Sequence, residues 1–177
     1  MSAKWSIYVD GSCLGNQNVT AETPAGWGVV VVIGDSKIGK GTGDIFAEFS
    51  GKVNTTKGSE NYFGAEVGSN NTAELSAFIH ALRWLLQHDE QGDVVIKADS
   101  QYAGNLACGA WKAKANKELV AAVRALWVEV EKSRNLSWEH VRAHRGHRWN
   151  ERADHLALRA AQDLKPEVLS FWKPGQK

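Results

Sequence analysis

The chain has 177 residues, 43% of them hydrophobic and 23% charged, which fits one soluble globular domain with a real core. No apolar run approaches the roughly 18 residues of a membrane span, and the start MSAKWSIYVDG lacks the pattern of a secretory signal, so an intracellular, non-secreted protein is expected. The net charge of +1 conceals an asymmetry: residues 1–100 hold 7 Lys/Arg against 12 Asp/Glu, and residues 101–177 hold 14 against 8. An acidic half able to attract cations beside a basic half able to attract a polyanion suits nucleic-acid chemistry, although solvated faces also vary in this way.

WSIYVDGS (5–12) alternates and then turns at Gly, the pattern of a strand. GWGVVVVI (26–33) is β-branched and predicts a buried strand, and DIFAEFSGKV (44–53) predicts a third. Segment 54–69 is polar and Gly-containing and predicts a long loop with some extended structure. NNTAELSAFIHALRWLLQH (70–88) is the clearest helix, with Leu75, Ile79, Leu82 and Leu86 at helical spacing. DVVIKAD (93–99) predicts a strand running directly into a short helix over 100–108. An amphipathic helix follows over 116–134, with Leu119, Val123, Leu126, Trp127 and Val130 as its stripe. A strand within 135–144 and a helix beyond Gly146 complete the pattern, and residues 163–177 read as a tail. Strands first, then strands alternating with helices, predict an α/β fold on a mixed sheet.

Four acids stand at element ends: Asp10 closes the first strand, Glu74 lies in the first turn of the long helix, Asp99 closes the fourth strand, and Asp154 rides the last helix. Asp154 shares a helical face with Ala157, Leu158 and Ala161, and a lone carboxylate turned to a core is costly to desolvate. Four mutually repelling acids make sense together if divalent cations lie between them, since Mg²⁺ prefers oxygen ligands. Each acid also has an ordinary alternative. Glu74 stands three residues after Asn71, a capping-box spacing; Asp10 and Asp99 precede Gly and Ser and suit turns or caps; Asp154 has Arg148, Arg152 and His155 as neighbours to pair with.

VDGSCLGN (9–16), NNTAEL (70–75), ADSQY (98–102) and HVRAHRGHRWNERAD (140–154) occur in that order. Together they resemble the type 1 ribonuclease H family, whose members are cellular enzymes or domains of retroelement reverse transcriptases. The resemblance spans roughly residues 4–161 and implies a ribonuclease H domain over 1–162, a C-terminal tail over 163–177, and a ribonuclease H-like fold with a five-stranded mixed sheet flanked by helices. It implies an endonuclease that hydrolyses the RNA strand of RNA–DNA hybrids with two Mg²⁺ ions, Mn²⁺ being an alternative, and leaves 3′-hydroxyl and 5′-phosphate ends. The metal ligands fall on Asp10, Glu74, Asp99 and Asp154, and the mobile catalytic histidine on His144, a residue type that titrates near neutrality. Substrate contacts fall on Cys13, Asn16, Asn70, Asn71 and Gln101, and Asn150 matches a family residue near the site. Amides at such positions can sense the 2′-hydroxyl that distinguishes RNA from DNA.

The sequence departs from many cellular members after ADSQY, where they carry a basic, Trp-rich protruding helix. Here only AWKAKANK (110–117) stands, with Trp111 and Lys112 as its candidate substrate contacts, so weak and salt-dependent hybrid binding is expected. Loops 17–25 and 54–69 are longer than usual. His140, His144 and His147 straddle a strand and a loop without nearby Cys, which argues against structural zinc. Arg142 and Arg152 are expected on a solvated face as readily as on a phosphate track. The expected state is a monomer or part of a larger polyprotein, without membrane association. Two readings compete with the hybrid nuclease: a DNA-cutting nuclease of the same fold, and a non-catalytic hybrid-binding domain.

Overall fold

A computed structural model describes residues 5–36, 39–88, 92–170 and 172–174; residues 1–4 of the expected domain and 171 and 175–177 of the expected tail lie outside these. Three antiparallel strands come first: β1 (Trp5–Cys13), β2 (Ala25–Ile33) and β3 (Asp44–Lys52). Helix α1 (Asn70–Leu86) leads to β4 (Val94–Ala98), then α2 (Gln101–Cys108) and α3 (Lys117–Glu131), then β5 (Leu136–His140) and α4 (Arg148–Ala161). The sheet order is β3-β2-β1-β4-β5, with β4 parallel to both β1 and β5. This is the five-stranded mixed sheet that the sequence predicts.

Strand periodicity divides the core in two. Trp5, Ile7 and Val9 of β1, with Trp27, Val29 and Val31 of β2, pack beneath α1 and α3. The intervening Tyr8, Val30 and Val32 face Trp149, Ala153 and Leu156 of α4. Gly26 and Gly28 let α4 lie almost on the sheet: a Cβ at Gly28 would stand 2.5 Å from Ala153 O, and one at Gly26 would stand 2.3 Å from Ala157 O. Both are closer than atoms tolerate, so side chains here would push the helix away.

Several local expectations are refined. Residues 54–69 form turns and bends with no strand, yet Ala65 is fully packed in the core beside Phe63. Leu86 is 42% exposed at the end of α1, and Leu85 is buried in its stead. Arg152 is not on a solvated face: it is 1% exposed, and its Nε and Nη2 donate to both carboxylate oxygens of Glu48 on β3. A face buried against the sheet can hold Arg only when its donors are satisfied, and this fork-to-fork pair supplies that. The segment after α4 folds back along it. Arg152 Nη1 donates to Glu167 O, Glu167 N donates to His155 Nε2, and Trp172 is buried with its ring 5.3 Å from the Arg152 guanidinium. Among the described residues, no helix is long and apolar enough to cross a membrane.

Candidate active site

β1 and β4 are parallel neighbours in register, with Val9 beside Ala98, so Asp10 and Asp99, the residues after that pair, stand side by side. Asp10 does not close its strand, because β1 runs on to Cys13 against β2. Glu74 of α1 completes the group; it lies just beyond the first turn of the helix, not within it. The cap of α1 is Ser69, whose hydroxyl accepts from Thr72 N while the Thr72 hydroxyl accepts from Ser69 N. Glu74 is therefore not spent on capping, and the Asn71–Glu74 spacing has no such role. Likewise the cap of α2 is Ser100, accepting from Ala103 N, which leaves Asp99 free of that duty. Ligand atoms of Asp10, Glu74 and Asp99 lie within 4.8 Å of one another.

Asp10 is 4% and Glu74 8% exposed. Burial first, and then the charges of Glu74 and Asp99, push the Asp10 carboxyl well above the usual carboxylate range. Burial and Asp99 push Glu74 up to about 8, and burial raises Asp99. Three acids so placed cannot all ionise without countercharge. Glu74 Oε2 is also buried without a hydrogen-bond partner. An unpartnered oxygen among crowded carboxylates is costly unless a cation meets it, so the donor set fits a divalent metal.

Asp154 lies on the rim, in the second turn of α4. Two of its suggested partners are engaged elsewhere, Arg152 with Glu48 and His155 with Glu167 N. One cleft of about 320 Å³ is lined by Asp10, Glu74, Asp99, Asp154, His144, Asn150, Asn70 and Asn71. Sequence reasoning missed Gly11, Ser100, Ala143 and Glu151 in the same wall; Glu151 Oε2 is another buried oxygen without a partner. His144 is exposed, and its backbone is left-handed with φ 56°. Asn150 is buried, with Nδ2 3.5 Å from Asp99 Oδ2.

The other predicted contacts lie around this cleft. Asn16 Oδ1 accepts from Asn70 N, and Cys13 Sγ lies 3.8 Å from Gly68 O, so the loop after β1 is tied to the start of α1. Gln101 is exposed at the start of α2. Trp111, half exposed, and Lys112 line a second groove of about 630 Å³ together with Tyr102, Lys114 and Asn116. Asn71 borders both cavities, so they adjoin. No helix protrudes between α2 and α3; residues 109–116 form a turn and an irregular loop.

Comparison with known proteins points to one family. The family model described as RNase H matches residues 2–162. Ribonuclease H of Pseudomonas fluorescens is 32% identical over 176 residues, covering 93% of this chain and 97% of the relative. RNase H1 from the halophilic archaeon Halobacterium salinarum superposes with a TM-score of 0.63 at 27% identity, covering 90% of this chain and 98% of that one. LC11-RNase H1, whose structure is a complex with RNA/DNA hybrid, gives the same TM-score, identity and coverage.

Proposed function

Because this chain belongs to the ribonuclease H family and is a ribonuclease H enzyme, we propose that it hydrolyses the RNA strand of RNA–DNA hybrids endonucleolytically, leaving 3′-hydroxyl and 5′-phosphate ends. The observation that carries this reading is the crowding of Asp10, Glu74 and Asp99, with a buried Glu74 oxygen left unpartnered and Asp154 on the rim. These four carboxylates would hold two divalent cations, Mg²⁺ or alternatively Mn²⁺. When bound, such a pair supplies the positive charge that the scissile phosphate and the incoming water require.

The chain's own groups do the rest. Asp10 stands with Glu74 and Asp99 in the cluster, and Asn150 reaches toward the Asp99 carboxylate from α4. Asn70, Asn71 and Gln101 present amides near the cleft that suit 2′-hydroxyls of the RNA strand, with Cys13 and Asn16 shaping the same edge. Trp111 offers a stacking face and Lys112 a phosphate contact for the companion strand in the adjoining groove. His144, exposed on its loop, moves a proton or assists product departure.

Matched RNA–DNA, RNA–RNA and DNA–DNA duplexes incubated with Mg²⁺ test the reading. Cleavage of the RNA strand of the hybrid alone, with the stated ends, is expected. Cleavage of the DNA duplex would favour the DNA-cutting alternative, and hybrid binding without cleavage the non-catalytic one.

A further inference from the structure

One layer deeper on the same face of the sheet lies a polar group that the proposed reaction does not use. Tyr8 and Lys97 are register partners on β1 and β4, each two residues before a cleft acid. Strand alternation therefore points Tyr8, Lys97, Asp10 and Asp99 to the α4 side. Tyr8 is fully buried and Lys97 nearly so. Asp35, from the turn after β2, enters this layer with its side chain 2% exposed. Tyr8 OH donates to Asp35 Oδ2 at 2.5 Å, and Lys97 Nζ lies 3.3 Å from the same oxygen. His147 completes the chain, with Nε2 3.3 Å from Tyr8 OH and Nδ1 accepting from Asn150 N as the cap of α4.

The direction of this chain follows from its ends. Nδ1 accepts a backbone N–H, so in the neutral ring the proton sits on Nε2. The Tyr8 proton points to a carboxylate, which leaves the phenol oxygen to accept from Nε2–H. Burial favours the neutral imidazole, and Lys97 offsets the Asp35 charge. Lys40 and Thr42, just before β3, also grip the helix start. Arg148 N donates to Lys40 O, Lys40 Nζ donates to Arg145 O, and Trp149 Nε1 donates to Thr42 O, each at 2.8 Å. The first turn of α4 carries Asn150, which faces Asp99, and the loop before it carries His144.

We infer that Tyr8, Asp35, Lys97 and His147 are positioning residues whose buried hydrogen-bond chain sets the start of α4 and so holds Asn150 against Asp99 and Asp154 in the cleft. The inference rests on the cleft being the cleavage site proposed above. A group that merely filled the core would lower stability when altered and leave the rate constants alone. A group that orients the residues around a metal site costs roughly 10–100-fold in activity or metal affinity when removed.

Tyr8→Phe, Asp35→Asn and the double variant separate these cases at a temperature where all are folded. The expected result is kcat on hybrid lowered about 10-fold or more, KM nearly unchanged, and the Mg²⁺ concentration for half-maximal rate raised. The double variant should be no worse than its worse parent, because both break one chain. Amide hydrogen exchange at residues 148–151, measured without metal or substrate, should quicken about 10-fold. His147→Asn keeps a capping oxygen and loses only the link to Tyr8, so it should behave like Tyr8→Phe. Wild-type kcat, Mg²⁺ midpoint and exchange in these variants, with only the melting temperature lowered, would overturn the proposal. Should the wild type cleave no hybrid, the proposed function fails while the exchange measurement still decides the network.

Discussion

Gly11 presses against the backbone of α1 beside Glu74: a Cβ on Gly11 would stand 2.5 Å from Glu74 N and 2.6 Å from Ala73 C. That close approach lets α1 bring Glu74 up to β1 beside Asp10. Gly11→Ala must push α1 outward and carry Glu74 away from Asp10. Overpacking of this kind costs about 1–3 kcal/mol. We expect that loss in urea unfolding, together with a fall in hybrid cleavage larger than the stability change explains. A fully active Gly11→Ala protein would mean that the Asp10–Glu74 spacing is not critical.

Crowding of the acids has a sign that can be measured. Asp10 and Asp99 are raised, and Glu74 is raised from 4.5 to about 8, so the metal-free native state binds more protons than the unfolded chain within that window. Stability then falls as pH rises from about 4.5 through about 8. Calorimetric melting without metal should show this decline, and Mg²⁺ should flatten it by supplying the missing countercharge. Asp10→Asn should abolish cleavage yet melt no lower than wild type near pH 8, since one repelling charge is gone. Retained Mg²⁺ activity in Asp10→Asn would rule out the two-metal reading.

The four acids are legible in the sequence because each sits inside its own local motif. Their places in the elements are less so, since only Asp99 directly follows an element's end, while Asp10 lies inside β1 and Asp154 midway along α4. The sheet is legible for a similar reason: alternation in WSIYVDGS and the β-branched run GVVVVI mark strands without help from the rest of the chain. The positioning layer is less so. Tyr8 and Lys97 carry a weak signal, a polar side chain two residues before an acid on a buried strand. Asp35 carries none, because a turn residue that folds back over a sheet is placed by tertiary packing alone. Arg152 reads as a solvated or phosphate-facing residue, and its burial is hidden for the same reason: its partner Glu48 lies 104 positions earlier in the chain.

The Arg152–Glu48 pair and Trp172 predict a stability role for the segment beyond α4. Replacing a buried Trp by Ala typically costs about 3–5 kcal/mol, and Trp172→Ala should approach the lower figure because the segment is only locally docked. Glu48→Gln leaves the Arg152 charge buried, and such breaks cost roughly 3–5 kcal/mol when both partners are enclosed. Glu48 is 27% exposed, so a smaller loss is expected. Denaturant midpoints for both variants check this, and unchanged midpoints would show that the segment does not stabilise α4.

Hybrid binding should be weak and strongly salt-dependent, because the exposed Lys112, Lys114 and Lys117 stand where a basic protrusion would otherwise neutralise more phosphates. Removing one lysine–phosphate pairing should flatten the log–log salt slope by about 0.9 on B-form duplex, with hybrids treated as similar. Binding isotherms of the triple alanine variant across a salt series should show lower affinity and a shallower slope. An unchanged slope would show that this loop does not touch the backbone.

The three histidines near the cleft should separate by the work that each performs. His144 lines the cleft from an exposed, left-handed loop position, free to approach a leaving oxygen. General acid–base help is typically worth roughly 10²–10⁴-fold, and less where the group only speeds product release, so His144→Ala should lower kcat within or below that range and leave the melting temperature nearly unchanged. His147 is tied to Tyr8 and caps α4; His147→Ala should cost stability, about 0.5–2 kcal/mol for removal of a cap, and a smaller part of the rate. His140 ends β5 with Nε2 3.2 Å from Asp99 O, and its ring does not line the cleft, so His140→Ala should change the rate least. Steady-state cleavage and thermal melting of all three alanine variants, at one Mg²⁺ concentration and one pH, decide the assignment. A His147→Ala loss of rate exceeding both that of His144→Ala and that of Tyr8→Phe, at equal fraction folded, would move the proton-transfer role from the loop to the helix cap.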